Sequence, residues 1–195
     1  MCRIFIVVVL GALALSVNGS SAEDKRTQRD EGKSKVIKES VRGGIAFPPE
    51  KRQWTRISGK VKVLNAHTLL FEDGTKVDLN GAIDAPELEQ KGLIGDSSYP
   101  CGKDAAEFLS KLIGDKKVTC FANPEHVEGK QVRVATALVG ETNLNIEMVR
   151  NGWAISHHRG MDTWEIIARE NKRGLWRGQF VLPERWRKGE RLPSE

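Results

Sequence analysis

Apolar and polar residues alternate from Trp54 onward, and this alternation predicts strands. Residues 56–63 (RISGKVKV) alternate at period two, which is typical of a strand with one buried face. Two further apolar runs, residues 67–71 and 75–79, flank the sequence Glu-Asp-Gly at residues 72–74, a hairpin turn signal. The three segments therefore predict a β-meander.

Farther along the chain the apolar residues recur at helical spacing. These residues are Ala105, Phe108, Leu109, Leu112 and Ile113. Gly114 follows them, and glycine is a residue type that commonly ends a helix. Two more strands are predicted at residues 117–122 and 133–139, and two helices at residues 144–150 and 162–172. Three strands, a helix, two strands and then helices is the order of a five-stranded barrel with helical additions.

The first 22 residues have the pattern of a leader. A short positive start precedes an apolar run, and Ser-Ser-Ala then precedes Glu23, which predicts a signal peptide cleaved before Glu23. An uncleaved anchor is the alternative, although an apolar run of about a dozen residues is too short to span a bilayer comfortably. We therefore expect an exported, soluble protein, periplasmic or secreted, with no membrane association after cleavage.

The rest of the chain divides by composition. Residues 23–53 are charged and polar and predict a flexible linker, residues 54–188 carry the periodicity of one domain, and residues 189–195 form a tail. The formal net charge of +5 falls to +4 without the leader, in which Arg3 is the charged residue. This mild excess is compatible with a polyanionic partner without requiring one, and we expect a monomer.

Cysteine usage depends on the leader. Of the three cysteines, Cys2 leaves with the signal peptide, and Cys101 and Cys120 remain. An even number in an oxidising compartment predicts a disulfide between them. Two free buried thiols are the alternative.

Several short motifs resemble those of the thermonuclease (staphylococcal nuclease-like) family. They are Ile-Asp-Ala-Pro-Glu at residues 83–87, Tyr-Pro-Cys-Gly at 99–102, Gly-Trp-Ala at 152–154 and Gly-Leu-Trp at 174–176. The resemblance covers roughly residues 56–188. It implies an α+β, mainly β fold: a five-stranded OB-type barrel with about three helices. It also implies calcium-dependent cleavage of phosphodiesters in DNA and RNA.

The family's site residues are carried over residue by residue. Asp84 matches a metal-binding aspartate, and the backbone carbonyl of Ala85 matches a further ligand, as suits the oxygen preference of calcium. Glu87 matches the general base that activates water. Arg133 matches one of the two arginines that hold the phosphate as charge develops.

Other family positions hold different residues. The first metal aspartate belongs to an Asp-Gly-Asp-Thr element, and residues 65–68 are Asn-Ala-His-Thr, with His67 in the place of the ligand. The first arginine corresponds to Asp78 or Leu79, and nearby Lys76 carries charge without a guanidinium fork. The basic run at residues 185–188 is interpreted as a solvated end with a docked tryptophan, or else as a phosphate contact with a stacking ring.

Two interpretations of the site remain open. In the first, His67, Asp84 and Glu87 form a softer site for zinc, manganese or nickel in place of calcium. In the second, which we prefer, the site is relaxed and His67 is an ordinary residue beside a vestigial pocket that needs no metal. The preferred function is an exported thermonuclease-like protein with attenuated or lost activity on nucleic acid. The alternative is a non-catalytic OB-type module that binds a polyanion, an oligosaccharide or a protein.

Overall fold

The computed structural model describes residues 54–79, 81–134 and 136–193. The predicted signal peptide and the predicted linker, residues 1–53, lie outside the described residues. Within the described ranges, no helix combines the length and the apolar character needed to cross a bilayer.

Short strands make up most of the regular structure of the described residues. They are β1 (Thr55–Gly59), β2 (Val61–Val63), β3 (Thr68–Phe71), β4 (Lys76–Asp78), β5 (Ile83–Asp84), β6 (Gly92–Ile94), β7 (Ser97–Tyr99), β8 (Val118–Ala122), β9 (Val127–Glu128), β10 (Gln131–Arg133), β11 (Thr136–Val139), β12 (Thr142–Asn143), β13 (Ile155–Ser156) and β14 (Gln179–Phe180). The α-helices are α1 (Cys101–Ile113), α2 (Leu144–Arg150), α3 (Asp162–Glu170) and α4 (Pro183–Arg187). Single 3₁₀ turns lie at Pro124–His126, Arg159–Met161 and Gly174–Arg177. The fourth helix was not predicted.

The two larger sheets share two stretches of chain. Their strand orders are β1-β8-β11-β12 and β2-β3-β4-β10-β9. Only Lys60 separates β1 from β2, and only residues 134–135 separate β10 from β11, so each stretch continues from one sheet into the other. This sharing gives the predicted OB-like α+β arrangement, although the hydrogen bonds of the described residues do not close a single barrel. The five predicted strands are all present, and they correspond to β1 with β2, β3, β4, β8, and β10 with β11.

The predicted meander is confirmed by β2, β3 and β4, which pair antiparallel with Val63 opposite Leu69 and Thr68 opposite Asp78. The alternation that predicted these strands corresponds to burial, since Leu69 and Val77 are fully enclosed. Strand β10 then adds to β4 in parallel, with Arg133 beside Asp78. This parallel pairing brings two chemically different candidate residues to one edge of the sheet.

Helix α1 covers the main core. Its buried residues Ala105, Leu109 and Ile113 follow the helical spacing seen in the sequence, and they belong to the same apolar cluster as Leu69 and Val118. Burying one leucine side chain contributes roughly 1.5–3 kcal/mol. Packing therefore accounts for both the position of the helix and the face that it buries.

Cys101 and Cys120, the cysteines within the described ranges, are both thiols, so the structure does not form the predicted disulfide. Cys101 lies in a small cluster with Tyr99 and Leu175, and its Sγ donates to the carbonyl oxygen of Gln90 over 3.2 Å. Cys120 lies in the main core, where burial raises the pKa of its thiol to about 12. The two side chains are thus enclosed by two different apolar clusters. The structure agrees with the alternative interpretation, in which both cysteines are buried thiols.

The C-terminal part of the chain returns across a three-stranded sheet of order β14-β6-β7. Phe180 pairs with Gly92, and the side-chain amide of Gln90 donates to the carbonyl oxygen of Val181 over 2.6 Å. These contacts direct the following residues, which form α4, toward the loop that carries Asp84 and Glu87.

Candidate active site

The Ile-Asp-Ala-Pro-Glu motif is a loop held from two sides. Its first two residues are β5, which pairs with β13 so that Asp84 lies opposite Ile155. The start of α1 packs on the other side, where a Cβ added to Gly102 would lie 1.8 Å from the carbonyl oxygen of Glu87. The glycine of the Tyr-Pro-Cys-Gly motif therefore permits the helix to approach the loop, and the two motifs fix each other's position.

Arg187 of α4 bridges the two acidic residues of this loop. Its Nη2 donates to Oδ1 of Asp84 over 2.9 Å, and its Nη1 donates to Oε1 of Glu87 over 3.2 Å. The Asp84 side chain is 5% exposed and that of Arg187 is 37% exposed, so the fork reaches inward from the surface. Burial by itself lowers the pKa of Arg187, but Asp84 and Glu87 outweigh it and raise the pKa further. The guanidinium is therefore a permanent cation at this position.

Two further groups lie near Asp84. The backbone N–H of Glu184, also in α4, donates to Oδ2 over 3.1 Å, and Nε2 of His157 lies 3.8 Å from the same oxygen. His158 turns away, and its Nδ1 accepts from the backbone N–H of Gly160. The two adjacent histidines therefore point apart.

His67 lies between two carboxylates. Its Nδ1 is 3.3 Å from Oδ1 of Asp78 and its Nε2 is 3.3 Å from Oε2 of Glu87. Burial by itself lowers the pKa of His67, but the hydrogen bond and charge of Asp78, followed by those of Glu87, outweigh it and raise the pKa above the ordinary value. An imidazolium has an N–H at both nitrogens and donates to both carboxylates. When protonated, His67 is thus a second cation beside these carboxylates.

The side chain of Asn65 stabilises the turn before His67, in the element where the family has aspartates. Its Oδ1 accepts from the backbone N–H of His67 over 3.0 Å and from that of Thr68 over 2.7 Å. An asparagine side chain is well suited to such a local turn. The residue therefore holds the backbone in place and contributes no charge.

Arg133 lies at a separate part of the site. It borders a cavity of about 250 Å³ whose other lining residues are Thr68, Lys76, Asp78, Glu125, His126, Glu128, Gln131 and Val132. Within the described ranges, Arg133 takes part in no ion pair. Its side chain is exposed, and it is positioned to meet an anion that enters this cavity.

The structure distinguishes the two candidate positions for the missing arginine. Leu79 is fully buried in the core, whereas Asp78 borders the cavity and contacts His67. The side chain at the mouth of the site is therefore a carboxylate. It opposes the negative charge of a phosphate.

The four carboxylate oxygens of Asp84 and Glu87 all face nitrogen donors. Arg187, Glu184 and His67 supply those donors. In the described part of the chain, no three His, Cys, Asp or Glu side chains form a group suited to a metal ion. Calcium requires about six to eight oxygen ligands, so this arrangement does not fit the calcium ion that the family resemblance implies.

The sequence analysis missed the part that α4 plays. Arg187 belongs to the basic run at residues 185–188, which was assigned to the solvent or to a phosphate. A separation of 103 positions between Arg187 and Asp84 leaves no local pattern that would link them. The available signal was the basic run itself.

A family model described as "Staphylococcal nuclease homologue" matches residues 76–178. The matched range contains Asp84, Glu87 and Arg133. His67 and Arg187, which contact Glu87 from two sides, lie outside it. A comparison with the curated proteins finds no match. The match, the predicted motifs and the OB-like arrangement agree, and the chain belongs to the staphylococcal nuclease homologue family.

Proposed function

We propose that the protein is an exported nuclease-like protein that binds nucleic acid and has attenuated or lost calcium-dependent phosphodiesterase activity. The observation that carries this proposal is the engagement of Asp84 and Glu87 by Arg187. Membership of the nuclease family supports nucleic acid as the partner.

The position of Glu87 argues against efficient general-base catalysis. A general base needs an oxygen within hydrogen-bonding reach of the water that it deprotonates. One oxygen of Glu87 accepts from Arg187 and the other lies 3.3 Å from His67. An incoming water must compete with both partners for the lone pairs of these oxygens, which weakens Glu87 as a base.

Phosphate stabilisation is reduced as well. Arg133 matches one family arginine, and Asp78 lies at the cavity beside it. Removing one preorganised electrostatic contact costs roughly 2.7–4 kcal/mol in a transition state, which corresponds to about 100- to 1,000-fold in rate. We therefore expect calcium-dependent cleavage at least two orders of magnitude below that of a family member with both arginines.

The cavity beside Arg133 favours a second candidate, a binding module without catalysis. Lys76 and Arg133 give it positive charge, and Glu125 and Glu128 give it negative charge. A mixed lining of this kind suits an oligosaccharide or a protein segment as well as a polyanion. The two candidates differ in whether any divalent ion produces cleavage.

The test uses purified residues 23–195 with single-stranded DNA and with RNA. Binding is measured at several salt concentrations, and cleavage is measured with calcium, manganese and zinc. The proposal expects salt-sensitive binding with slow or absent cleavage, and a matched Arg133→Gln variant should bind more weakly with a smaller salt slope. Calcium-dependent cleavage at the rate of an intact family member would contradict the proposal. The absence of nucleic-acid binding at low salt would favour the binding module for another ligand.

Export is part of the proposal and rests on the pattern of residues 1–22. Expression of the full chain with its own leader tests it through the N-terminal sequence of the protein recovered outside the cytoplasm. The expected first residue is Glu23. Recovery of the unprocessed chain in the cytoplasm, or in the membrane fraction, would contradict cleavage and export.

A further inference from the structure

Helix α4 contacts the carboxylates of Asp84 and Glu87, here called the acidic pair, and buries little apolar surface of its own. Its one buried residue is Pro183, whereas Glu184, Arg185 and Arg187 are exposed and Trp186 is half-buried. The preceding residue, Leu182, is 39% exposed. Because little apolar surface is buried, the polar contacts to the acidic loop have a large share in keeping the helix in place.

Those contacts use the oxygens that a divalent cation would need. Asp84 offers one oxygen to Arg187 and the other to the N–H of Glu184, and Glu87 offers an oxygen to Arg187. A metal ion bound to either carboxylate at the usual distance of 2.3–2.6 Å for calcium would meet the positive guanidinium at the same oxygens. The two cations exclude each other through both space and charge.

We propose that α4 acts as an internal competitor of divalent cations, and that the Asp84–Glu87 pair becomes accessible to metal only when Arg187 leaves it. An arginine suits this role because its planar fork reaches two carboxylates together and stays charged at every physiological pH. The inference concerns cation access alone, and it holds whether or not the protein binds or cleaves nucleic acid.

Competition of this kind has a quantitative consequence. The apparent dissociation constant of the cation is its intrinsic value divided by the fraction of molecules in which α4 is released. The relation is reciprocal, so a bound cation also favours release of α4. Couplings of this sort typically change an affinity by roughly 5- to 150-fold.

Isothermal titration calorimetry of calcium and of manganese into the full domain tests the proposal. Arg187→Gln is expected to bind the cation roughly 5- to 150-fold more tightly than the unaltered chain. Arg185→Gln is the matched control, because Arg185 lies in the same helix and its ion pair is with Glu190, at 3.8 Å. That control should behave like the unaltered chain, and adding Asp84→Asn to Arg187→Gln should abolish the gain.

Arg187→Lys provides a second test if the glutamine variant does not fold. A lysine keeps the charge and loses the fork, so its cation affinity should lie above that of the unaltered chain and below that of a variant with no charge. Release of α4 is measured independently by hydrogen exchange at the Glu184 amide, which should be faster in Arg187→Lys than in Arg185→Gln.

Three results would overturn the inference: equal cation affinity in the unaltered chain and in Arg187→Gln, a gain that survives Asp84→Asn, or an Arg187→Lys variant that matches the unaltered chain in both measurements. Failure of this inference is distinguishable from failure of the proposed function, because nucleic-acid binding and cleavage are measured separately.

Discussion

Nη2 of Arg187 donates to Oδ1 of Asp84 over 2.9 Å, although 103 positions separate the two residues. The pair joins the last helix of the described chain to the acidic loop that carries the family's motif. A carboxylate that is 5% exposed is stable as an anion only with such partners. Arg187 therefore has a structural role as well as its effect on the site.

Replacing Arg187 should weaken the fold measurably. Arg187→Gln leaves Asp84 with the Glu184 amide and loses two charged hydrogen bonds, each worth about 1.5–3 kcal/mol when buried. Because Arg187 itself is partly exposed, the expected total loss is smaller, about 1–3 kcal/mol. Urea unfolding gives the free energy, and Arg185→Gln should stay within about 0.5 kcal/mol of the unaltered chain. Equal stability of the two variants would contradict the structural role.

The ion pairs of His67 should make stability depend on pH. The pKa of His67 is raised in the folded state above the ordinary value of 6.5. The stability that these ion pairs add is therefore fully present below pH 6.5, and it is lost as the pH rises through the higher pKa of the folded protein. The difference in unfolding free energy between the unaltered chain and His67→Gln should fall over that interval.

The same shift can be observed directly by NMR. The titration midpoint of the His67 ring should lie above 6.5, and Asp78→Asn should lower it because Asp78 supplies the larger of the two upward effects. A midpoint below 6.5 in the unaltered chain would mean that burial outweighs the two carboxylates.

Both thiols should be unreactive in the folded protein. Cys101 and Cys120 are buried, and burial raises the pKa of Cys120 to about 12, so very little thiolate forms near neutral pH. In the chain that starts at Glu23, a thiol reagent should detect no cysteine before unfolding and two after it, without any reductant. Detection of none after unfolding would restore the disulfide.

Gly102→Ala should destabilise the protein although alanine is the better helix former. Helix propensity alone would stabilise α1 by about 1 kcal/mol. The added Cβ would instead lie 1.8 Å from the carbonyl oxygen of Glu87, and overpacking of this kind typically costs about 1–3 kcal/mol. Lys103→Ala, an exposed change at the next position, is the control. A stabilised Gly102→Ala variant would show that the loop and the helix move apart without cost.

Restoring family residues should raise calcium-dependent cleavage. His67→Asp supplies a carboxylate, and Asp78→Arg supplies a guanidinium at the cavity edge; Leu79 is unsuitable because it is fully buried. With Arg187→Gln added to open the acidic pair, the double variant is expected to cleave single-stranded DNA at least about tenfold faster than either single variant in the same background, since preorganised charges act together. No cleavage in any variant with any divalent ion would leave the binding module as the remaining candidate.

Local patterns in the sequence were sufficient for the elements and for the family. Alternation at period two located the meander, and helical spacing located α1, because burial on one face imposes those periods wherever the element packs. The Ile-Asp-Ala-Pro-Glu and Tyr-Pro-Cys-Gly motifs identified the family that the match at residues 76–178 shows. The export prediction stays a prediction, since residues 1–22 lie outside the described residues.

Contacts between distant segments decided the rest. The run at residues 56–63 was predicted as one strand, and the structure divides it at Lys60 between two sheets, a division that depends on the partners β8 and β3. Cys101 and Cys120 are not bridged, since two separate clusters enclose their side chains.

The state of the acidic site was also decided by tertiary structure. Asp84, Glu87 and His67 were recognisable from the sequence. Asp84 and Glu87 belong to a short family motif, and His67 occupies the position of a metal-binding aspartate in another. Their charges are balanced by Arg187 and by one another, and such pairing depends on distances of 2.9–3.3 Å between side chains far apart in the chain. Electrostatic interactions act through space and leave no periodic trace along a sequence, so only the folded chain reveals which cation the carboxylates hold.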